Sequence, residues 1–274
     1  MRFFHFYLLL FFTTAFSLNI ENWVVDYSKD ASINKLKQYQ LIVLDSQNHP
    51  DIDLVKTKNN IILGYISLGE IENIRPYFQQ AKDAGYLLQE NKNWPGSYYV
   101  DVRQPQWAKL VIDKIIPSIL NQEFDGIFID TMDNPEYLEE IDPKKYKGMM
   151  DAGINLIKLI RLNYPHIKIM MNRGFLILPN VANDIDYELA ESLMTDINFK
   201  DDNYNMRPEN VYQQTVKMLK TIQGTHPNLL LFSLDYWSPT DIEKVKYIYQ
   251  TERKNGFIPY VSTLKLNKVY LEPK

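Results

Sequence analysis

The chain has 274 residues, 45% hydrophobic and 23% charged, with a formal net charge of −4. That is ordinary globular composition, enough for one large core, and no clustering of basic residues points to nucleic acid. Cysteine is absent, which excludes disulfides, thiolate nucleophiles and thiolate metal ligands.

Residues 1–17 read as a separate segment. Arg2 carries the only formal charge there, Phe3 to Phe12 is almost wholly apolar, and Ala15-Phe16-Ser17 has small residues at its first and third positions. This is a signal-peptide layout, with cleavage expected after Ser17. The apolar run is about half the ~20 residues that span a bilayer, so a retained anchor is the lesser reading. The expected mature domain is 18–274, secreted or periplasmic, without stable membrane insertion. Its length suits a (β/α)8 barrel of ~250 residues.

Strand and helix patterns then alternate. Trp23 to Tyr27 is the first strand, followed by a short helix from Ser32 to Tyr39. Leu41 to Asp45 is the second strand, and Asp51 to Lys58 a second helix. Ile61 to Leu68 is the third strand. Residues 71–104 read as one irregular stretch holding a short extended piece, Tyr98 to Val102. A loop that long in a compact domain is usually functional, and it is expected to wall or cover the mouth. Pro105 opens a helix to Leu120. The fourth strand centres on Ile127-Phe128-Ile129, with Gly126 allowing a close approach to the sheet. A helix from Lys144 to Asn163 follows, then strands at 167–171 and 186–190. Helices from Pro208 and Pro239 flank a seventh strand, 229–234, and the eighth is 257–261. Eight such units predict a closed parallel barrel, the (β/α)8 or TIM fold. An open doubly wound sheet is the alternative, but no glycine-rich phosphate loop follows the first strand.

The predicted strand ends carry Asp26, Asp45, Glu70, Asp130, Asn172, Glu191 and Asp235, which a barrel would gather at one mouth. Helix caps explain Asp and Asn there, but not Glu. Glycoside hydrolysis needs two carboxyls at one sugar bond, one protonated and one ionised. Asp130 and Glu191 supply such a pair from strands four and six. The four histidines are not spaced to chelate, so no metal or other cofactor is expected, and no serine elbow is present. His166 is expected at the buried bottom of the fifth strand. Aromatic residues are plentiful, and Trp94, Tyr98 and Tyr236 lie in mouth-forming segments where flat rings suit sugars.

The motifs also carry a resemblance. Gly64-Tyr65-Ile66-Ser67-Leu68-Gly69-Glu70 with Glu72 and Arg75-Pro76-Tyr77 resembles the third-strand motif of glycoside hydrolase family 114. Trp94-Pro95-Gly96, Asp101-Val102-Arg103, Phe124-Asp125-Gly126 to Asp130, Asp133, and Glu191-Ser192-Leu193 are similar to its following segments. That family comprises endo-α-1,4-polygalactosaminidase-like barrels. The resemblance implies hydrolysis of an amino-sugar polysaccharide, with Asp130 as nucleophile and Glu191 as acid/base. Asp45, Tyr65, Glu70, Arg75, Asp133, Asn172 and Tyr236 are the expected substrate-binding residues. Asn172 or Arg173 is expected to keep Asp130 ionised, and the pair is expected to act with retention. A non-catalytic carbohydrate-binding barrel is the alternative.

Overall fold

A computed structural model describes residues 19–198 and 203–274. The expected signal segment lies outside the described residues. Eight parallel strands form one sheet in strict chain order: β1 (Trp23–Asp26), β2 (Leu41–Asp45), β3 (Ile61–Ser67), β4 (Gly126–Asp130), β5 (Lys168–Asn172), β6 (Tyr187–Glu191), β7 (Leu230–Tyr236) and β8 (Ile258–Ser262). The sheet curls into a nearly closed barrel. At the seam, the Trp23 ring on β1 meets the Tyr260 ring on β8 edge-on, at 5.8 Å between centroids. The chain is a TIM barrel.

The strands are apolar on both faces because side chains alternate between lumen and helix layer. Trp23, Val24 and Val25 are all buried, as are Leu41 to Leu44 and Ile127 to Ile129. Gly126 starts β4 where a Cβ would lie 1.9 Å from the Lys168 carbonyl oxygen, so only glycine lets β4 and β5 pair here.

The two-residue period decides what reaches the mouth. Tyr65 and Ser67, Phe128 and Asp130, Leu189 and Glu191, Leu234 and Tyr236 are each two apart on one strand and line one cavity. Ser67 pairs with Asp130 in register, and Leu234 with Glu191.

Several local expectations are corrected. Residues 71–104 are not irregular. Glu70–Glu72, Ser97–Val100 and Leu87–Glu90 form a three-stranded antiparallel sheet, with a helix at Phe78–Asp83. Its strands have three or four residues each and its outer strand is half-exposed, so no apolar run betrays it. The helix from Pro105 to Leu120 contains a π-helical stretch at Val111–Ile115, where the Ile116 N–H reaches back to the Val111 carbonyl. Pro117 has no N–H for a regular i−4 bond, and the widened turn absorbs that break. The helix expected from Lys144 begins at Met149, after a separate helix at Asn134–Ile141. A hairpin of Thr195–Asn198 with Asn203–Met206, not anticipated, follows β6. His166 is exposed, not buried. No helix among the described residues is long and apolar enough to cross a membrane.

Candidate active site

Asp45, Asp130, Asn172, Glu191 and Tyr236 all sit at the C-terminal ends of barrel strands. Asn172 joins the two carboxylates that sequence singled out. Its Nδ2 donates to Asp130 Oδ1 at 2.9 Å and to Glu191 Oε2 at 2.6 Å. Those two oxygens are therefore no more than about 5.5 Å apart, the length of both bonds end to end.

Each carboxyl has further donors. Asp130 Oδ1 also accepts from the Thr131 N–H at 2.8 Å, and Oδ2 accepts from the Tyr65 hydroxyl at 2.9 Å. Glu191 Oε1 accepts from the Tyr236 hydroxyl at 2.5 Å. Burial, and then the neighbouring Asp130 charge, raise the Glu191 carboxyl above its usual range. The Tyr236 and Asn172 donors and the Arg173 charge oppose that shift without cancelling it. Burial also raises the Tyr65 and Tyr236 hydroxyls far above theirs, and the facing carboxylates add to it. Both phenols are therefore proton donors at any ordinary pH.

Other expected sugar ligands are committed elsewhere. Glu70 is buried, and its Oε1 accepts from Asn91 and Asn134 Nδ2 at 2.7 and 2.8 Å. Its Oε2 accepts from Ser97 Oγ at 2.6 Å. The Glu70 side chain thus clasps the three-stranded wall to the start of the helix Asn134–Ile141 that follows β4. Asp45 Oδ1 accepts the Gln47 and Asn48 N–H groups, while Oδ2 pairs with Arg75 at 2.8 Å. Arg75 also binds Glu72 and lies over the Tyr65 ring, 5.2 Å from its centroid. Burial works against its charge, but Asp45 and Glu72 hold it protonated. Asp133 pairs with Arg173 at 3.1 Å, and burial raises its carboxyl despite that cation.

Two connected chambers meet at the Asp130–Glu191 pair. One, of about 410 Å3, runs into the barrel past Tyr27, Phe128, Leu189 and Leu234. The other, of about 600 Å3, opens outward past Trp94, Tyr137, Glu136 and Arg173. Trp94 and Tyr137 are about half exposed, at 49% and 48%. The wall and the hairpin border this outer chamber through Asn91, Tyr99, Asp196 and Ile197. Sequence reading missed Tyr27, Thr131, Asn134 and the hairpin. Thr131 follows a singled-out aspartate directly, and that adjacency was the one available signal.

The profile of glycoside-hydrolase family GH114 matches residues 13–274. The chain belongs to this family. As a GH114 member it is a glycoside hydrolase. An uncharacterized protein of Methanocaldococcus jannaschii is 25% identical over 252 residues, covering 87% of this chain and 68% of that protein. One from Thermotoga maritima is 22% identical, covering 92% and 78% respectively. Among solved structures, the glycoside hydrolase domain of PelA from Pseudomonas aeruginosa superposes with a TM-score of 0.82 at 19% identity. That alignment covers 93% of this chain and 99% of the PelA domain. Aspergillus fumigatus Ega3, in complex with galactosamine, superposes at 0.66 with 14% identity, covering 93% and 96%. At such identities these two likenesses concern the barrel fold that GH114 shares with them.

Proposed function

We propose that this GH114 protein cleaves amino-sugar polysaccharide, with Asp130 as nucleophile, Glu191 as acid/base, and net retention at the anomeric carbon. The observation that carries the reading is the Asn172 amide shared between the two carboxyls. Retaining pairs stand about 5–5.5 Å apart, whereas inverting pairs need roughly 6.5–9.5 Å to admit a water between. The galactosamine bound to Ega3 supports an amino-sugar substrate.

The steps follow from the donors. Asp130 Oδ1 is occupied by Thr131 and Asn172, while Oδ2 has one donor, Tyr65. Oδ2 therefore keeps a free lone pair and attacks the anomeric carbon. The glycosidic C–O bond breaks, and its electron pair goes to the leaving oxygen, which takes the Glu191 proton. A glycosyl ester of Asp130 results. Glu191, now ionised, removes a proton from water as the water oxygen attacks the same carbon. The ester C–O bond breaks and returns its electrons to Asp130. Tyr65 and Asn172 steady the Asp130 carboxylate throughout, and the aromatic rims at Trp94 and Tyr137 offer faces for further rings. The signal-like residues 1–17 support a secreted or periplasmic setting.

The test is proton NMR of the first-formed product from defined α-1,4-linked galactosamine oligosaccharides. Retention of configuration is expected in the wild type. Loss of turnover by several orders of magnitude is expected in Asp130→Asn and Glu191→Gln, with folding intact. An inverted product, or an active Asp130→Asn, refutes the assignment.

A further inference from the structure

Three successive barrel strands end alike. Asp130, Asn172 and Glu191 close β4, β5 and β6, and a non-glycine residue with positive φ follows each: Thr131 at 65°, Arg173 at 57° and Ser192 at 52°. Left-handed backbone is uncommon in residues with a side chain and most costly in a β-branched one. Thr131 is therefore the most strained of the three.

The three turns differ in what their amides do. The Arg173 N–H goes to the Leu189 carbonyl and the Ser192 N–H to the Leu234 carbonyl, each on the neighbouring strand. The Thr131 N–H instead turns back on the residue before it and donates to Asp130 Oδ1 at 2.8 Å. The Thr131 hydroxyl is the side-chain pin of that turn, beside two backbone bonds, Leu68 N–H to the Asp130 carbonyl at 3.1 Å and Asn134 N–H to the Thr131 carbonyl at 3.2 Å. Thr131 Oγ1 donates to the Asp130 carbonyl at 2.7 Å, accepts the Gly69 N–H at 2.8 Å and lies 2.8 Å from Ser67 Oγ. Gly69 is needed for this stitch, because a Cβ there would lie 2.1 Å from the Thr131 carbonyl oxygen.

We propose that Thr131 is the positioning residue for Asp130. Its hydroxyl adds to the backbone tie between the ends of β4 and β3 and holds a strained left-handed turn. That turn aims an amide N–H at Oδ1, fixes the carboxylate plane and leaves Oδ2 facing the substrate. Glycine would adopt the same φ without strain but would leave the turn free to open. The proposal rests on the reading of Asp130 as nucleophile.

Thr131→Val, Thr131→Gly and Thr131→Ser test it, assayed on α-1,4-linked galactosamine oligosaccharides. Valine keeps the shape and loses the pin, so kcat is expected to fall ~30-fold or more while KM stays within about threefold. Glycine relieves the strain, so it folds even if valine does not, and it too is expected to lose kcat selectively. Serine keeps the hydroxyl and is expected to restore most of kcat. Amide hydrogen exchange at residue 131 reads the pin without turnover, and about tenfold faster exchange is expected in Thr131→Gly. Unchanged kcat and exchange in Thr131→Gly would overturn the proposal, as would KM rising in step with the loss of kcat. Asp130→Asn runs in the same assay. If it is inactive while Thr131→Gly is fully active, only the positioning role fails; if it is active, the reading beneath it fails as well.

Discussion

The Tyr236 hydroxyl donates to Glu191 Oε1 at 2.5 Å, so the group proposed to hold the catalytic proton is steadied by a phenol that burial keeps neutral. A donor to a carboxylate favours its charged form and works against the upward push of burial and Asp130. In Tyr236→Phe that opposition is gone. Glu191 should then keep its proton to higher pH, and the alkaline limb of the kcat/KM profile should move upward. A limb that stays put would show that Glu191 is not the acid.

Asn172 has a separate consequence. Asn172→Ala removes one donor from each carboxyl and leaves both in a confined site. We expect kcat to fall by about 100-fold or more, as for other lost preorganised donors. Asn172→Asp should be worse, because it adds a third carboxyl where two already repel. Steady-state kinetics alongside thermal melts would separate this from misfolding, and a kcat within threefold of wild type in Asn172→Ala would rule out the bridging role.

Glu70 is expected to act through the wall. Glu70→Ala leaves Asn91, Asn134 and Ser97 without their shared acceptor. Loss of these charge-assisted bonds should cost about 3 kcal/mol of stability. The sheet at Leu87–Glu90 should become the first site of limited proteolysis, with KM raised more than kcat is lowered. Wild-type melting and an intact wall in this variant would instead return Glu70 to the role of sugar ligand.

Glu252 gives a prediction about pH and stability. It is fully buried on the helix Ile242–Lys254. Burial, and then the Asp235 charge, push its carboxyl from 4.5 up to about 9. The folded chain therefore keeps a proton that the unfolded chain releases, and stability should fall as pH rises from about 4.5 to about 9. Glu252→Gln carries no such proton. It should melt about 10 °C or more above wild type at pH 8 and match it near pH 4. Parallel melting curves at both pH values would show that Glu252 does not titrate this way.

The sequence by itself determined the barrel and its mouth. Apolar runs such as Leu41-Ile42-Val43-Leu44 are readable because a parallel strand is buried on both faces, and each run stops at a polar residue where the sheet ends. Asp130, Asn172 and Glu191 were legible for that reason. Of the three-stranded wall only the central strand was legible, as the extended piece Tyr98 to Val102; the flanking strands are three residues long or half-exposed and leave no period to read. The hairpin after β6, whose Asn203–Met206 strand has no fully buried residue, was not legible either. Only the tertiary structure decided which polar side chains are spent on one another. Glu70 and Asp45 look in sequence like Asp130, a carboxylate at a strand end. In the fold, Asn91, Ser97, Asn134 and Arg75 arrive from distant segments to occupy them. Hydrogen bonds between residues far apart in the chain leave no local pattern. For the same reason the sequence could not show that Thr131, bonded to Gly69 across two strands, holds a strained turn beneath Asp130.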